Sequence, residues 1–488
     1  MQLTMKYNYF LLLCCVAAVQ SQPGSDVVNK KVERTIDIST QLVTITCRIT
    51  VENNGKTPLT GYLVSLDESH RDRVAHITAS IAGSGTGKKK SSLQISKQTV
   101  DGNELYRVDL GDHKIAAGSV SPVIEVEAVY TQLLTPYPTQ ILQSERQLVQ
   151  YNTGNTYFLS PYVTKSQTTK VKLPSGGSIE TYSKLKPTSQ SETTISYGPY
   201  DNIPANSVTP LNVHYENNSP FLVATSLDRT IEISHWAGLL SVEEVTDIKH
   251  AGAQLKGSFS RYEYQREPTN GISAVKSLKA KLPVTAQDIY YRDDIGNIST
   301  SNVRKTSGSV LAELRPRFPL FGGWKTHYTL GYYLPTANYL FNDGNQFVLR
   351  IPFIGHLFDN AVVENAVVRV VLPEGASDIK VRLPFSATRE KDEVRKTYLD
   401  TFGRPVVILR KQNLVDKHIQ DFEVHYTFNR LLMLQEPLLL VLALFILCVL
   451  VMISVRIDVS LTSSKKPTSE PVVEREVSGK AKQNKKTH

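Results

Sequence analysis

Residues 41–52 read QLVTITCRITVE. Val43, Ile45, Cys47, Ile49 and Val51 alternate with Thr44, Thr46, Arg48 and Thr50, a period of two. β-Branched residues in both registers suit a pleated, half-buried surface, so the stretch predicts an antiparallel strand with its odd-numbered side chains inward. Asn53-Asn54-Gly55 then supplies a turn. Ile124, Val126, Ala128 and Tyr130 repeat the alternation against Glu125 and Glu127. Strand signals recur at 229–235, 362–372, 406–409 and 421–428, with Gly, Pro, Ser and Asn clusters at 174–177, 198–204 and 207–210. Many short strands with frequent turns predict a mainly β chain built as two β-sandwich-like domains. Asn217–Pro220 and the residues just after them suggest the join, giving domains at 22–225 and 226–430. No sequence repeat of fixed period is visible.

Outward from the sandwiches, residues 438–455 read LLLVLALFILCVLVMISV, with no charge. At 1.5 Å per residue such a helix covers roughly 27 Å, close to the thickness of a bilayer's hydrocarbon core. It predicts a single transmembrane helix, preceded by a juxtamembrane segment at 431–437 in which Pro437 suits a first helical turn. Arg456, Lys465 and Lys466 follow the helix, whereas Arg430 is the only Lys or Arg in the 18 residues before it. The positive-inside rule therefore places residues 456–488 in the cytosol, as a short, polar, disordered tail.

Residues 1–21 have the layout of a secretory signal peptide, with Lys6, a short apolar run at 10–19 and small residues before Ser21. This predicts a type I, single-pass membrane protein. Of the four cysteines, Cys14 and Cys15 leave with the leader and Cys448 lies in the apolar stretch. Cys47 then has no partner for an internal disulfide, and its phase in the 41–52 alternation predicts a buried small hydrophobe. The chain has 41% hydrophobic and 21% charged residues, enough for folded domains. Its net charge of +9 is spread. The tail holds eight Lys/Arg against four Asp/Glu, and residues 22–455 are nearly balanced, which argues against a nucleic-acid binder. Lys88–Lys90 follow Gly83, Gly85 and Gly87 and read as a solvated loop tip.

No catalytic, cofactor or metal site is predicted. The eleven His residues form no His-Glu-x-x-His motif, and residues 83–88 lack the first Gly and the final Ser/Thr of a phosphate loop. Glu243-Glu244 and Asp293-Asp294 are adjacent carboxylates, and neighbours on a strand point to opposite faces, so neither pair suits acid/base work. Two N-glycosylation sequons are present: Asn297-Ile298-Ser299 in a Gly-containing loop, and Asn217-Asn218-Ser219, which Pro220 impairs. Lys485 and Lys486 stand third and fourth from the last residue, where a cytosolic dilysine signal retrieves type I proteins to the endoplasmic reticulum.

Several long stretches resemble the ribophorin I family, subunits of the oligosaccharyltransferase complex. They are 229–236 (RTIEISHW), 250–265 (HAGAQLKGSFSRYEYQ), 287–300 (QDIYYRDDIGNIST), 315–328 (RPRFPLFGGWKTHY), 398–405 (YLDTFGRP) and 425–440 (HYTFNRLLMLQEPLLL). Residues 136–172 match in character. The resemblance implies a non-catalytic subunit with two lumenal β-rich domains, in a complex that moves an oligosaccharide from dolichyl diphosphate to Asn of nascent chains. It implies as partners the catalytic multi-spanning subunit, other subunits, nascent polypeptides and the translocon, and it implies a glycan at Asn297. Many animal members carry a longer cytosolic region after the span than 456–488, so any ribosome-facing role of that region is not expected here. The runner-up reading is an endoplasmic-reticulum-retrieved type I lectin or cargo receptor.

Overall fold

The 41–52 alternation folds as predicted, within a strand at Val43–Asn53 whose odd-numbered residues are buried and which pairs antiparallel on both sides. The computed structural model describes residues 26–82, 91–100, 103–266 and 271–457. The predicted leader, the Lys88–Lys90 run and the Lys485-Lys486 pair lie outside the described residues.

Nine strands organise the first half: β1 Val27–Asp37, β2 Val43–Asn53, β3 Val74–Ile81, β4 Ile124–Tyr130, β5 Leu148–Asn155, β6 Val163–Lys172, β7 Ile179–Tyr182, β8 Thr194–Ile203 and β9 Pro210–Glu216. One sheet has the order β8-β6-β1-β2-β4-β3 and a second has β7-β9-β5. All these pairs are antiparallel except β1 with β6.

The second half repeats these nine strands in the same sheet order, while the strands outside the nine differ between the halves. Its members are β10 Leu222–Ser234, β11 Leu239–His250, β12 Gln287–Asp293, β13 Lys325–Pro335, β14 Gln346–Pro352, β15 Val362–Val371, β16 Ser377–Arg382, β17 Arg404–Leu414 and β18 Asp421–Thr427. The sheets run β17-β15-β10-β11-β13-β12 and β16-β18-β14, and the parallel pair is β10 with β15. The registers coincide. Asp37 opposes Lys172, which Leu173-Pro174 follow; Glu232 opposes Val371, which Leu372-Pro373 follow.

Each half has its own core between its two sheets, one drawn from residues between Val32 and Phe221, the other from residues between Leu222 and Phe428. β15 is apolar on both faces, with Val368 and Val370 in the large core and Val371 in a small cluster with Val406 and Ile408. Valine makes up most of 362–371, interrupted by Glu364, Asn365 and Arg369, because a central strand covered on both sides can be apolar on both faces. Gln41 Nε2 donates to the Leu222 carbonyl (2.9 Å), the Thr131 hydroxyl donates to Asn413 (2.6 Å) and Lys417 pairs with Glu127 (2.8 Å), tying the halves together.

The apolar helix, α1, covers Gln435–Arg456. It begins three residues before the predicted span, with Pro437 in its first turn, where a missing N–H has no helical partner to lose. It is long and apolar enough to cross a membrane.

Candidate functional site

The Asn297 sequon sits on a rigid hairpin. β12 ends at Asp293, and the chain returns so that Asn297 pairs with Arg292. Asp293 Oδ1 accepts the backbone N–H groups of Ile295 (3.0 Å) and Gly296 (3.1 Å), an Asx-type turn. Arg317 donates to Asp293 Oδ1 (2.9 Å) and to the Gly296 carbonyl (3.2 Å). The Arg317 guanidinium, helped by the two backbone donors, holds the Asp293 carboxyl down at about 2.

An open groove of about 570 Å³ runs beside this hairpin, between residues 297–300 and 315–319, with Tyr264 and Lys276 at its side. Its wall is backed by aromatic rings: Trp324 lies 5.8 Å from Phe318, 5.4 Å from Phe321 and 5.8 Å from Phe259, all edge-on. Asn297 is exposed at the rim. Proline, aromatic and cationic side chains in an open trough suit an extended chain or a sugar. Asp293 beside the trough is paired with Arg317, which lowers the basicity of its carboxylate.

Asn217 is placed differently. Its side chain is buried, with Oδ1 accepting from the Ser219 N–H (3.0 Å) and hydroxyl (2.6 Å), and Nδ2 donating to the Thr40 carbonyl (3.3 Å). The adjacent carboxylates diverge as strand geometry requires. Glu243 accepts from the Tyr290 hydroxyl (2.6 Å) and pairs with Arg292, whereas Glu244 turns into the core. Asp293 binds Arg317, and Asp294 faces His327 at 4.0 Å. Cys47 is buried in phase, and burial pushes its thiol up to about 11. The two tryptophans do not share a face. Trp236 is in the turn after β10 and Trp324 precedes β13, at opposite ends of the twelve-residue β11, roughly 40 Å of strand.

A family model described as Ribophorin I matches residues 27–455, almost the whole described chain and α1 with it. The chain belongs to the ribophorin I family. A relative from Caenorhabditis elegans, named dolichyl-diphosphooligosaccharide–protein glycosyltransferase subunit 1, is 40% identical over 441 residues, covering 90% of this chain and 74% of its own. An Arabidopsis thaliana relative named subunit 1B of the same transferase is 38% identical over 463 residues, covering 93% and 97%. Among solved structures, an M1 zinc metallopeptidase from Deinococcus radiodurans overlays on 42% of each chain at 12% identity, with a TM-score of 0.27. A likeness that loose carries no argument.

One feature of this ribophorin I family member went unpredicted: a buried cation in each half. Arg229 on β10 opposes Glu244 on β11, and the two are ion-paired and almost wholly buried. Gly355 lies against them, and a Cβ there would stand 2.9 Å from Glu244 Oε1. Burial pushes the Glu244 carboxyl above its usual range, and Arg229 limits the rise. At the equivalent place in the first half, Arg34 on β1 opposes Cys47 on β2. Arg34 is buried and donates to the carbonyls of Asn155 (2.6 Å) and Tyr157 (3.2 Å). The signal was available in the alternation: Arg229 shares the phase of Ile231 and Ile233, and Glu244 that of Leu240, Val242 and Ile248.

Proposed function

We propose that this chain is a non-catalytic subunit of an oligosaccharyltransferase complex. In this reading it supports transfer of a preassembled oligosaccharide from dolichyl diphosphate to Asn in Asn-x-Ser/Thr of nascent polypeptides, by scaffolding and by presenting the acceptor. The match of the ribophorin I family along residues 27–455 carries the reading. Two sandwich domains, 22–225 and 226–430, face the lumen of the endoplasmic reticulum, and α1 crosses its membrane. Lys485 and Lys486 serve retrieval. The partners are the catalytic multi-spanning subunit, other subunits of the complex and nascent chains, with the translocon nearby. The open groove beside Asn297 suits an extended polypeptide, and Asp293 beside it is engaged by Arg317.

Native-gel sizing after mild detergent solubilisation tests the assembly. The protein is expected to run in a complex far larger than its own 54.4 kDa. Depleting it should leave secretory glycoproteins underglycosylated. Migration as a free monomer with normally glycosylated clients would refute the proposal.

Asn297 is proposed as the occupied sequon and Asn217 as the empty one, because one Nδ2 is exposed and the other is tied to the Thr40 carbonyl. Asn297→Gln should speed migration on a denaturing gel by one glycan and abolish the shift on enzymatic deglycosylation. Asn217→Gln should change neither; the reverse pattern would reject the assignment.

A further inference from the structure

The second half ends in an apolar face where the chain leaves for α1. β10 runs parallel to β15, with Glu232 opposite Val371, and Val371 opposes Val406 on β17. The ends of β10 and β15 and the start of β17 are therefore level. In the other sheet Thr427, at the end of β18, opposes Ser377 and Gln346. The short link from Val371 to Ser377 puts both sheets' ends on the same side, and there the chain passes from β18 into residues 428–433.

Large apolar side chains stand in solvent at this end. Trp236, in the turn after β10, is 57% exposed, Phe402 is 75% exposed, Leu431 is 72% exposed, and Tyr398 is fully exposed with Leu399 beside it. Two of the stretches that carry the family resemblance, 229–236 and 398–405, supply most of them.

The loop at 397–403 is not a loose tip. Glu374 Oε1 accepts the backbone N–H groups of Thr401 (2.7 Å), Phe402 and Gly403 (3.0 Å). Asp400 accepts from the Thr397 N–H (2.8 Å) and hydroxyl (2.7 Å). Arg395 and Arg404 both reach Glu232, on the strand that leads to Trp236. Gly403, at φ +91°, closes the loop against Val394. Hydrogen bonds thus fix the backbone while the rings point outward, the arrangement of a preorganised contact surface rather than of a folding remnant.

Residues just before α1 pack beside the loop's anchor. Leu432 packs on Gly375, next to Glu374. Leu432 is three residues before Gln435, the first residue of α1. At no more than about 3.6 Å per residue, Leu432 is at most roughly 11 Å of chain from Gln435. Trp and Tyr have apolar bodies with a polar edge, the side chains that settle at the headgroup level. Lys396 and Arg430 bring cations alongside.

We propose that this end of the ectodomain is a lipid-contact surface: Trp236, Tyr398, Leu399, Phe402 and Leu431 enter the interfacial layer of the bilayer that α1 crosses. The surface seats the second sandwich on the membrane and fixes the height of the Asn297 groove above it. The proposal rests on α1 spanning that bilayer, which extraction at alkaline pH tests separately: release of the chain would fail the span, not the surface.

The test uses the full chain in nanodiscs and its two tryptophans. Lipids brominated on the acyl chain near the headgroup should quench Trp236. The expected result is a roughly two-fold loss of the Trp236 component, taken as the difference between the native chain and Trp236→Phe. Phe402→Ser combined with Tyr398→Ser should reduce that loss while leaving the Trp324 component as it was. Equal emission in brominated and plain lipid would overturn the proposal, as would quenching that persists in Trp236→Phe. A third result would also overturn it. If Trp236 is unquenched by lipid but becomes shielded from aqueous iodide on assembly into the larger complex, a protein covers this face.

Discussion

Glu244→Ala should cost this protein about 3–5 kcal/mol of stability, whereas Glu243→Ala, one residue away, should cost about 0–1 kcal/mol. The contrast comes from the strand. Glu244 points into the sandwich, where it and Arg229 are each 2% exposed; Glu243 points outward to Tyr290 and Arg292 and is 37% exposed. Removing Glu244 strands a buried guanidinium that cannot lose its proton. Arg229→Ala should be milder below neutral pH, because Glu244, its carboxyl already raised by burial, can take up a proton and become neutral. Replacing both together, Arg229→Met with Glu244→Leu, should recover most of the loss. The midpoint of urea unfolding, followed by tryptophan fluorescence on the full chain in detergent, measures all of these. Equal midpoints for Glu243→Ala and Glu244→Ala would show that the pair does not sit in the core.

The Arg229–Glu244 pair also marks the limit of what could be read in advance. The period-two pattern at 43–51 located a strand, its phase and its buried Cys47; 124–130 did the same to the residue. These are local properties, set by which side of a pleat each residue takes. Pairing across the chain is not local. β1 joins β6 with Val28 opposite Val163, and β10 joins β15 with Val223 opposite Val362, separations that no turn signal encodes.

The ninefold correspondence of strands was hidden for a related reason. Topology persists when inward residues are exchanged for others of suitable volume, and the links between strands differ in length, so no fixed period survives. At the equivalent cross-strand positions, Arg34 opposes Cys47 while Arg229 opposes Glu244. One half holds its buried cation with main-chain carbonyls, the other with a carboxylate. The Asn297 groove was legible only in part. Its sequon is a three-residue word, but the wall opposite, at 315–319, arrives through Arg317 and Asp293, a contact made only on folding.

Mild acid should weaken this protein before its carboxylates titrate. His250 and His418 are both buried, and in each the ring Nδ1 accepts a backbone N–H, from Gly252 (3.1 Å) and Val415 (3.1 Å). His250 Nε2 faces the Ser273 carbonyl at 2.9 Å, so the neutral ring is already satisfied. Protonating Nδ1 of His250 would set two N–H groups against each other; at His418 the Val415 carbonyl, 3.3 Å from Nδ1, offsets part of that clash. Burial accordingly pushes each ring from 6.5 down to about 4, with Lys411 and His76 adding to the effect on His418. The folded-state value lies below the unfolded one, so between the two the unfolded chain binds more protons. Stability is complete above about 6.5 and falls as the pH drops toward about 4, by about 3 kcal/mol per histidine over the whole window and about 2 kcal/mol by pH 5. His418 stacks edge-on against His76 of the first half at 5.2 Å, so its protonation should loosen the contact between the halves as well as the second core. Unfolding midpoints recorded between pH 7.5 and pH 5 should fall as the imidazoles of the unfolded chain take up protons. His250→Asn should lower the plateau yet flatten the slope. A midpoint that stays level down to pH 5 would mean that neither ring is held neutral by its surroundings.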